Sequence, residues 1–231
     1  MNGPRNSIGW CDFTWNPVTG CLNDCPYCYA RKLANGRLRK RYLAQWNMLN
    51  NLNYPFAPRF WPQRFREPYA LKKPSRIFVC DMGELFGYWV PKDWIDRILE
   101  VAKDNPRHTF QFLTKFPSRL KEFQFPDNCW CGTTVTKDSD WPRIELLSDV
   151  NCSLHFVSFE PLQGFIFGPF SPIEWVIIGA ETGNRKDKIV PKEEWIEFIC
   201  EQADHSSSPI FMKDNLKPYW HEPLRQEFPS A

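Results

Sequence analysis

The 231-residue sequence lacks any long hydrophobic run, and no stretch approaches the roughly 18 uninterrupted apolar residues that a membrane span requires. Its first ten residues contain no apolar core of the kind that signal peptides carry. Neither a helix-turn-helix pattern nor the ligand spacing of a nucleic-acid-binding zinc finger is visible. These absences exclude a membrane span and the commonest DNA-binding motifs, and we expect a soluble protein with no membrane partner.

The number of cysteines excludes a further class of protein, the domain built on a disulfide framework. The chain has nine, which is many for a disulfide framework of this length, and the number is odd. Together with the missing signal peptide, this count predicts reduced thiols and a cytoplasmic location. The length suffices for one substantial hydrophobic core, so we expect a single domain over residues 1–231.

Short apolar segments alternate with helical segments along most of the chain. The predicted strands are rich in β-branched and aromatic residues and are often bounded by Pro, Gly, Asn or Asp. They are Arg76–Asp81, His108–Leu113, Cys131–Val135, Leu154–Phe159, Trp175–Gly179 and Pro209–Lys213, with an earlier strand before Cys21. Predicted helices over Pro91–Lys103 and Pro191–Ala203 each open with proline, which suits a first helical turn.

Strands that alternate with helices predict parallel pairing, and hence an α/β barrel or open sheet with helices outside. The pattern supplies six or seven β/α units, fewer than the eight of a complete TIM barrel. In both architectures ligands bind at the carboxyl ends of the strands. The residues that follow each strand are therefore the candidates for a functional site.

Three cysteines near the N-terminus, Cys21, Cys25 and Cys28, have the spacing C-x3-C-x2-C. Structural zinc takes four protein ligands, and a ferredoxin-type cluster takes four cysteines. A compact run of three thiolates therefore indicates a metal centre with one position open for a reactant.

Two other interpretations of these cysteines stay open. A zinc site could be completed by a distant ligand, with Cys11, His108 or His155 as candidates. Cys25 and Cys28 alone also match a C-x-x-C redox pair, although that interpretation leaves Cys21 unexplained.

The run from Gly20 to Tyr29 resembles the signature of the radical S-adenosylmethionine (SAM) superfamily, C-x3-C-x-aromatic-C, with Tyr27 as the aromatic residue. The resemblance implies that the three cysteines hold a 4Fe-4S cluster whose fourth iron binds SAM. It also implies that an electron from the cluster cleaves SAM to a 5′-deoxyadenosyl radical, which abstracts hydrogen from a substrate. The implied fold is a partial (β/α)6 barrel, in agreement with the number of β/α units.

Residues after the first of the listed strands extend the resemblance. Met82-Gly83-Glu84 is similar to the superfamily's G-G-E element, which binds the amino group of SAM, with Met82 in place of the first glycine. A carboxylate at Glu84 or Asp81 suits an ammonium group. The alternative is a turn acid that caps the following segment.

The remaining predicted site residues follow other strands. Thr134 and Thr136 offer hydroxyls for a ribose, and the resemblance implies that the element Gly179–Gly183 passes near the adenine. Lys213 would hold a substrate anion or the SAM carboxylate, and Cys80 is a candidate hydrogen-atom donor. The predicted cofactor-binding residues of this group are Thr134, Ser158, Glu160, Gly179, Glu181 and Lys213. Cys129 and Cys131 are too few neighbours for a second cluster, so we expect none.

The chain as a whole also resembles a narrower, phage-associated group of radical-SAM-like proteins of unknown function. The supporting segments are 8–10, 14–21, 159–162, 175–181 and 211–213. The gap between Cys21 and Cys25 is shorter than the spacing common in that group, which brings this chain closer to the superfamily spacing.

Charge is distributed unevenly, although the net charge is only +2. Twelve Lys or Arg and a single acid lie between Arg31 and Arg76, while 17 basic and 26 acidic residues make up the rest. The aromatics of this region are Tyr42, Trp46, Tyr54, Phe56, Phe60, Trp61, Phe65 and Tyr69. A basic, aromatic-rich insertion at about 35–75 is typical of a surface for nucleic acid. The alternative is a solvated insertion whose aromatics pack on the barrel.

Taken together, these patterns and the resemblance predict a radical SAM enzyme that acts on an anionic substrate, with nucleic acid or a nucleotide first among the candidates and nucleic acid modification as the role. A flavodoxin or ferredoxin is the expected electron donor. One alternative is a zinc-stabilised nucleic-acid-binding protein without enzymatic activity. Another is an inactive barrel that keeps the cluster as a structural element.

Overall fold

The computed structural model describes residues 1–3, 8–45, 47 and 53–230, so Trp46 of the predicted basic segment lies outside the described residues. The strands are β1 (Phe13–Trp15), β2 (Val18–Thr19), β3 (Arg59–Phe60), β4 (Arg76–Val79), β5 (Thr109–Thr114), β6 (Cys129–Thr134), β7 (Leu154–Phe159), β8 (Trp175–Ile178) and β9 (Ile210–Met212). The helices are α1 (Tyr29–Asn35), α2 (Arg39–Leu43), α3 (Lys92–Asp104), α4 (Pro117–Leu120), α5 (Pro142–Ser148) and α6 (Glu193–His205). Short 3₁₀ helices lie at Pro62–Arg64, Pro68–Ala70, Asp138–Asp140 and Asp214–Tyr219. No helix within the described ranges has the length and apolar character needed to cross a membrane.

Seven strands form one parallel sheet in the order β1-β4-β5-β6-β7-β8-β9. The sheet curls into a half-barrel with helices outside it, which is the α/β partial barrel that the sequence predicts. The early strand β1 is its seventh strand. The strands β2 and β3 form a separate antiparallel pair beside this sheet.

The strands bury both faces because alternate residues enter two different cores. On the helix-covered face, Val157 and Phe159 of β7 join the large core that also contains Ile95 and Ile98 of α3. On the concave face, Phe156 of β7 belongs to a second, largely aromatic core. Its other buried members are Trp10, Cys11, Phe78, Leu154, Trp175, Ile177 and Phe211. The interior of the half-barrel is therefore filled by large rings.

Six predicted strands are confirmed within two residues at either end, from β4 to β9. The two predicted helices are also present, but their prolines do not occupy the first helical turn. Pro91 is the N-cap residue of α3, and Pro191 lies one residue before Lys192, the N-cap of α6. Proline suits these flanking positions because the backbone there is extended and donates no helical hydrogen bond.

The crossover from β7 to β8 departs from the β/α repeat, since residues 160–174 contain no helix. Three apolar side chains of this loop, Ile166, Phe170 and Ile173, are buried in the large core. Phe170 packs on Phe159 of β7 with ring centroids 5.0 Å apart. The loop therefore covers this part of the sheet in place of a helix.

The aromatic side chains of the predicted insertion are mostly packed into the protein. Tyr42, Phe56 and Trp61 are at most 3% exposed, and Phe60 stacks on Trp94 of α3 at a centroid distance of 4.7 Å. Buried rings have no free face for a base. For these aromatics the packing favours the structural interpretation over base stacking.

Both edges of the parallel sheet are covered by terminal segments of the chain. Asn2 forms an antiparallel bridge with Thr14 of β1 at one edge. At the other edge, Gln226 bridges Phe211 of β9, and the Met212 N–H donates to the Arg225 carbonyl oxygen at 2.7 Å. Backbone groups that would otherwise be unpaired at these edges are thereby satisfied.

Candidate functional site

An open cavity of about 1670 Å³ lies at the carboxyl edge of the parallel sheet. Residues that follow β1, β4, β7, β8 and β9 line one side of it, and the segment from Pro26 through α1 and α2 lines the other. This is the edge where ligands of parallel α/β folds bind. The strand-end residues at the cavity are Asn16, Asp81, Glu160, Glu181 and Lys213.

The cysteine-containing loop is held against the turn after β4 by Gly20. This glycine has a left-handed φ of +91°, and a Cβ on it would lie 2.2 Å from the Ala57 carbonyl oxygen. Its N–H donates to the Met82 carbonyl oxygen at 2.9 Å, and its own carbonyl accepts from the Glu84 N–H at 3.2 Å. Only glycine permits this backbone and this close approach. The predicted element at 82–84 therefore lies directly beside the first cysteine of the trio.

The thiols of Cys21, Cys25 and Cys28 lie within electrostatic range of one another. Burial, with smaller contributions from the other two thiols, raises the pKa of Cys21 to about 12. Burial also raises the pKa of Cys28. Backbone N–H groups point at two of the sulfurs: Asn23 N lies 3.2 Å from Cys21 Sγ, and Arg31 N lies 3.3 Å from Cys28 Sγ.

Three neighbouring thiols with N–H donors are a donor set that fits an iron–sulfur cluster, because such hydrogen bonds stabilise and tune cluster sulfurs. In the part of the chain that the structure describes, however, no three Cys, His, Asp or Glu side chains are arranged around a common point that could hold a metal ion. The donor chemistry therefore supports a three-cysteine centre, while the arrangement of the thiols is not that of a formed metal cage.

Two acidic residues after β4 have different surroundings. Asp81 lines the cavity and accepts a hydrogen bond from Asn16 Nδ2 at 2.6 Å, with the Tyr29 hydroxyl 3.4 Å from its other oxygen. Glu84 is buried, and its oxygens accept from the Thr114 hydroxyl at 2.6 Å and the Lys115 N–H at 3.0 Å. Burial raises the pKa of both carboxyls. Glu84 thus links β4 to the end of β5, whereas Asp81 is the acid that a ligand can reach.

The same strand-end wall of the cavity also contains two ion pairs. Glu160, after β7, pairs with Lys213, after β9. Gly179 leaves room for them, since a Cβ there would lie 3.0 Å from Lys213 Cδ. Glu181 is held by Arg185 through two hydrogen bonds of 2.8 Å, which lower the pKa of this carboxyl.

A sequence comparison identifies the family of this chain. Residues 5–222 match the model of the family described as Protein of unknown function (DUF5131). The chain belongs to this family. The same residues include the whole cysteine loop and every strand of the parallel sheet. The comparison with curated proteins finds no match.

The DUF5131 chain is also similar in fold to solved structures of spore photoproduct lyase. The structure complexed with dinucleoside spore photoproduct superimposes with a TM-score of 0.56 at 9% identity, covering 90% of this chain and 76% of the lyase. A mutant of the same lyase gives a TM-score of 0.53 at 8% identity, covering 87% of this chain and 75% of the lyase. At this identity the likeness establishes the partial-barrel fold alone.

The structure places several of the predicted site residues away from the cavity of the DUF5131 chain. Cys80 is 3% exposed in the helix-covered core, with a left-handed φ of 63°. Thr134 and Ser158, near the ends of β6 and β7, are buried and do not line the cavity. Thr136 uses its N–H and hydroxyl to bind Asp140, at 3.0 and 2.7 Å. Their roles towards a cofactor stay predictions, without a position on the cavity to support them.

Two residues on the cavity of the DUF5131 protein escape the sequence interpretation. Thr14 is buried at the cavity, and its hydroxyl is close enough to Asp81 to favour the ionised form of that carboxyl. Asn16 uses its amide to hold Asp81 and its oxygen to accept from the Met82 N–H at 2.9 Å. The rule that strand-end residues form the site identifies both residues when it is applied to the short strand before Cys21.

A basic rim borders the cavity on the side of α1 and α2. Lys32, Arg37 and Arg41 line this rim, and none of them forms an ion pair within the described ranges. Arg64 also reaches the cavity, donating to the Asn16 carbonyl oxygen at 2.7 Å and stacking on Trp61. Four of the twelve basic residues between Arg31 and Arg76 therefore line the cavity.

Proposed function

We propose that this protein is a radical SAM enzyme, with its cluster on Cys21, Cys25 and Cys28 and its SAM in the cavity. One observation carries the proposal: Cys28 lines the same cavity as Asp81 and Lys213, at the carboxyl edge of a partial parallel barrel. The likeness in fold to spore photoproduct lyase, a radical SAM enzyme, supports it. When bound, the cluster supplies an electron that cleaves SAM and so provides a radical able to abstract hydrogen.

The residues of the chain would bind and orient SAM through complementary charge. Asp81 receives the ammonium group, because its carboxylate is fixed by Asn16 and faces the cavity. Glu160 and Lys213 line the same cavity, where the lysine attracts a carboxylate and the glutamate accepts from ribose hydroxyls. Thr14 places a further hydroxyl beside Asp81 at the cavity. The aromatic interior of the half-barrel limits water access from the concave face.

The basic rim supports an anionic substrate, and we propose nucleic acid or a nucleotide. Lys32, Arg37 and Arg41 stand at the mouth of the cavity with no ion-pair partner among the described residues, which suits phosphate groups. One of the solved lyase structures holds a dinucleoside photoproduct, which is a finding about that enzyme. A flavodoxin or ferredoxin as electron donor, and an association with phages, stay predictions from the sequence.

The test is anaerobic reconstitution with iron and sulfide, followed by dithionite and SAM, with 5′-deoxyadenosine measured by chromatography. We expect the product from the intact chain and from Cys200→Ala, which removes a buried thiol on α6. The variant Cys25→Ala should form none. Asp81→Asn should keep its iron and bind SAM about tenfold more weakly, the effect of losing a charged hydrogen bond, whereas Glu84→Gln should bind it normally.

Three outcomes would overturn the proposal. Bound zinc without 5′-deoxyadenosine would leave the zinc-stabilised nucleic-acid-binding protein. A reconstituted cluster with no SAM binding would point instead to an inactive barrel that keeps its cluster for structure. Equal product from Cys25→Ala and the intact chain would remove the three cysteines from the site.

A further inference from the structure

A second group of thiols lies away from the cavity, on the helix-covered face of β6 and β7. Cys131 of β6 and His155 of β7 are direct neighbours in the strand register, so their side chains project on the same face. Cys152 lies two residues before β7, in the loop that follows α5. Because this loop leads into β7, the group lies toward the amino end of that strand, whereas the cavity lies at the carboxyl edge. None of these residues lines the cavity.

The three side chains lie close together. Cys152 is near enough to Cys131 and His155 for both to affect its titration, and its Sγ lies 3.2 Å from the Leu154 carbonyl oxygen. His155 Nε2 lies 2.7 Å from the Val150 carbonyl oxygen and donates to it, while Nδ1 lies 3.6 Å from Glu174 Oε2. The histidine ring is therefore held in place by the backbone and by an acid that favours its charged form.

These contacts set Cys152 apart from the core thiols. Hydrogen bonds from Cys131 and His155 lower the pKa of Cys152 to about 5, and the same contact raises the pKa of His155. Burial instead raises the pKa of Cys200 to about 12. Cys152 is half-buried, whereas Cys131 is fully buried behind it. A reachable thiolate beside a sheltered thiol is typical of a reactive cysteine with a resolving partner.

We propose that Cys152 and Cys131 form a redox-active dithiol that a hydroperoxide converts to a disulfide. The metal alternative is weaker, since no three potential ligands in the described part of the chain are arranged to hold a metal ion. The dithiol shares no residue with the cysteine loop or the cavity, so it does not depend on the proposed enzyme function.

The chemistry balances with hydrogen peroxide as the oxidant. The Cys152 thiolate attacks one peroxide oxygen, an S–O bond forms, the O–O bond breaks, and the departing hydroxide takes the proton of the His155 imidazolium to leave as water. Cys131 then attacks the sulfenic sulfur of Cys152, an S–S bond forms, and the S–O bond breaks. The second hydroxide takes the Cys131 proton and leaves as water. Two thiols are oxidised, and one peroxide is reduced to two waters.

The test treats the full chain, prepared without iron, with hydrogen peroxide and maps its peptides by mass spectrometry. We expect a linked pair of peptides containing Cys131 and Cys152 that is lighter by two hydrogens and separates on adding a thiol reductant. Cys131→Ser should instead carry a dimedone adduct on Cys152, the mark of a trapped sulfenic acid. Cys200→Ser, lacking a thiol of the same core, should form the linked pair as the parent does.

A measurement on the unmutated chain guards against variants that fail to fold. At pH 6, limiting iodoacetamide should alkylate Cys152 at least about tenfold faster than Cys129 or Cys200, whose pKa values burial raises. The titratable groups that face Cys152 are Cys129 and Cys131 of β6 and His155 of β7, with Glu174 behind the histidine. His155→Gln should slow this alkylation about tenfold. Equal labelling of the core cysteines, or no dimedone adduct in a folded Cys131→Ser, would overturn the proposal.

Discussion

Gly20 and Gly183 have nearly the same φ angle and entirely different surroundings. Their φ angles are +91° and +88°. A Cβ at Gly20 would lie 2.2 Å from the Ala57 carbonyl oxygen, whereas a Cβ at Gly183 would meet nothing within 4 Å. A comparison of the two positions therefore separates two reasons why a position requires glycine. One is the left-handed conformation itself, and the other is the close approach of two backbones.

We expect Gly183→Ala to lower the free energy of unfolding by about 1 kcal/mol, the effect of a left-handed residue with a side chain. Gly20→Ala should lower it by about 2 kcal/mol more, because the backbone at Ala57 has to move. Urea denaturation of the two variants measures the difference. Gly20→Ala should also incorporate less iron on reconstitution, while Gly183→Ala incorporates as much as the parent. Equal destabilisation would show that the contact with Ala57 does not hold the cysteine loop.

At the level of secondary-structure elements, the loop after β8 is held by Glu181 and Arg185. The guanidinium hydrogen bonds keep the pKa of the buried carboxyl below its ordinary value. An acid with a depressed folded-state pKa stabilises the fold fully above its unfolded pKa of about 4.5, and loses that contribution as the pH falls through the folded value. The loop should therefore be held firmly at neutral pH and released in acid.

Glu181→Gln tests this coupling of pH and stability. The variant should unfold at a lower urea concentration than the parent at pH 7, and the gap should narrow as the pH falls below about 4.5. Glu145→Gln is the matched control, since Glu145 is exposed on α5 and forms no ion pair within the described ranges. A gap between Glu181→Gln and the parent that stays constant with pH would rule out the ion pair as its source.

The sequence predicts those elements whose local pattern is complete. Strands β4 to β9 are apolar runs, often bounded by turn-forming residues, and their positions agree with the structure within two residues. The pair β2 and β3 is missed because each has two residues and is joined by contacts between distant segments, such as Trp61 N to the Pro17 carbonyl oxygen at 2.8 Å. The crossover without a helix has to be read against its own apolar pattern, because Ile166, Phe170 and Ile173 have helical spacing. Gly168, Pro169 and Pro172 interrupt the segment, and it forms no helix.

The residues of the candidate site are likewise predictable from the sequence only in part. The strand-end rule leads to Asp81, Glu160, Glu181 and Lys213, all of which line the cavity. The same rule also selects Thr134 and Ser158, because a local sequence pattern does not show which strand ends face the cavity. The hydrogen bond from Asn16 that fixes Asp81 joins residues 65 apart, and the contact of Cys152 with Cys131 likewise follows from the fold.

At the scale of the whole molecule, the charge asymmetry of the sequence becomes a basic rim on one side of the cavity. Replacing Lys32, Arg37 and Arg41 together by Gln should weaken binding of a single-stranded oligonucleotide. It should also reduce the slope of log affinity against log salt by about 2, since each contact with a single strand contributes about 0.7. Fluorescence anisotropy over a range of salt concentrations measures both quantities.

The control variant removes three positive charges at positions away from the cavity. Lys72, Lys73 and Lys103 are exposed and do not line the cavity, so their replacement by Gln should leave the slope nearly unchanged. If both triple variants lose the same affinity, attraction to nucleic acid is diffuse and the rim is no docking surface. Binding that neither variant alters would indicate an uncharged or small substrate.

A barrel that stops at seven strands keeps two free edges, and here each edge is covered by a short segment of the same chain, at Asn2 and at Gln226. These few residues act as caps against self-association, because an unpaired edge accepts a strand from another molecule. Removing either segment would expose a strand edge that can pair with another chain. The two segments thus satisfy backbone groups on both sides of the gap between β1 and β9.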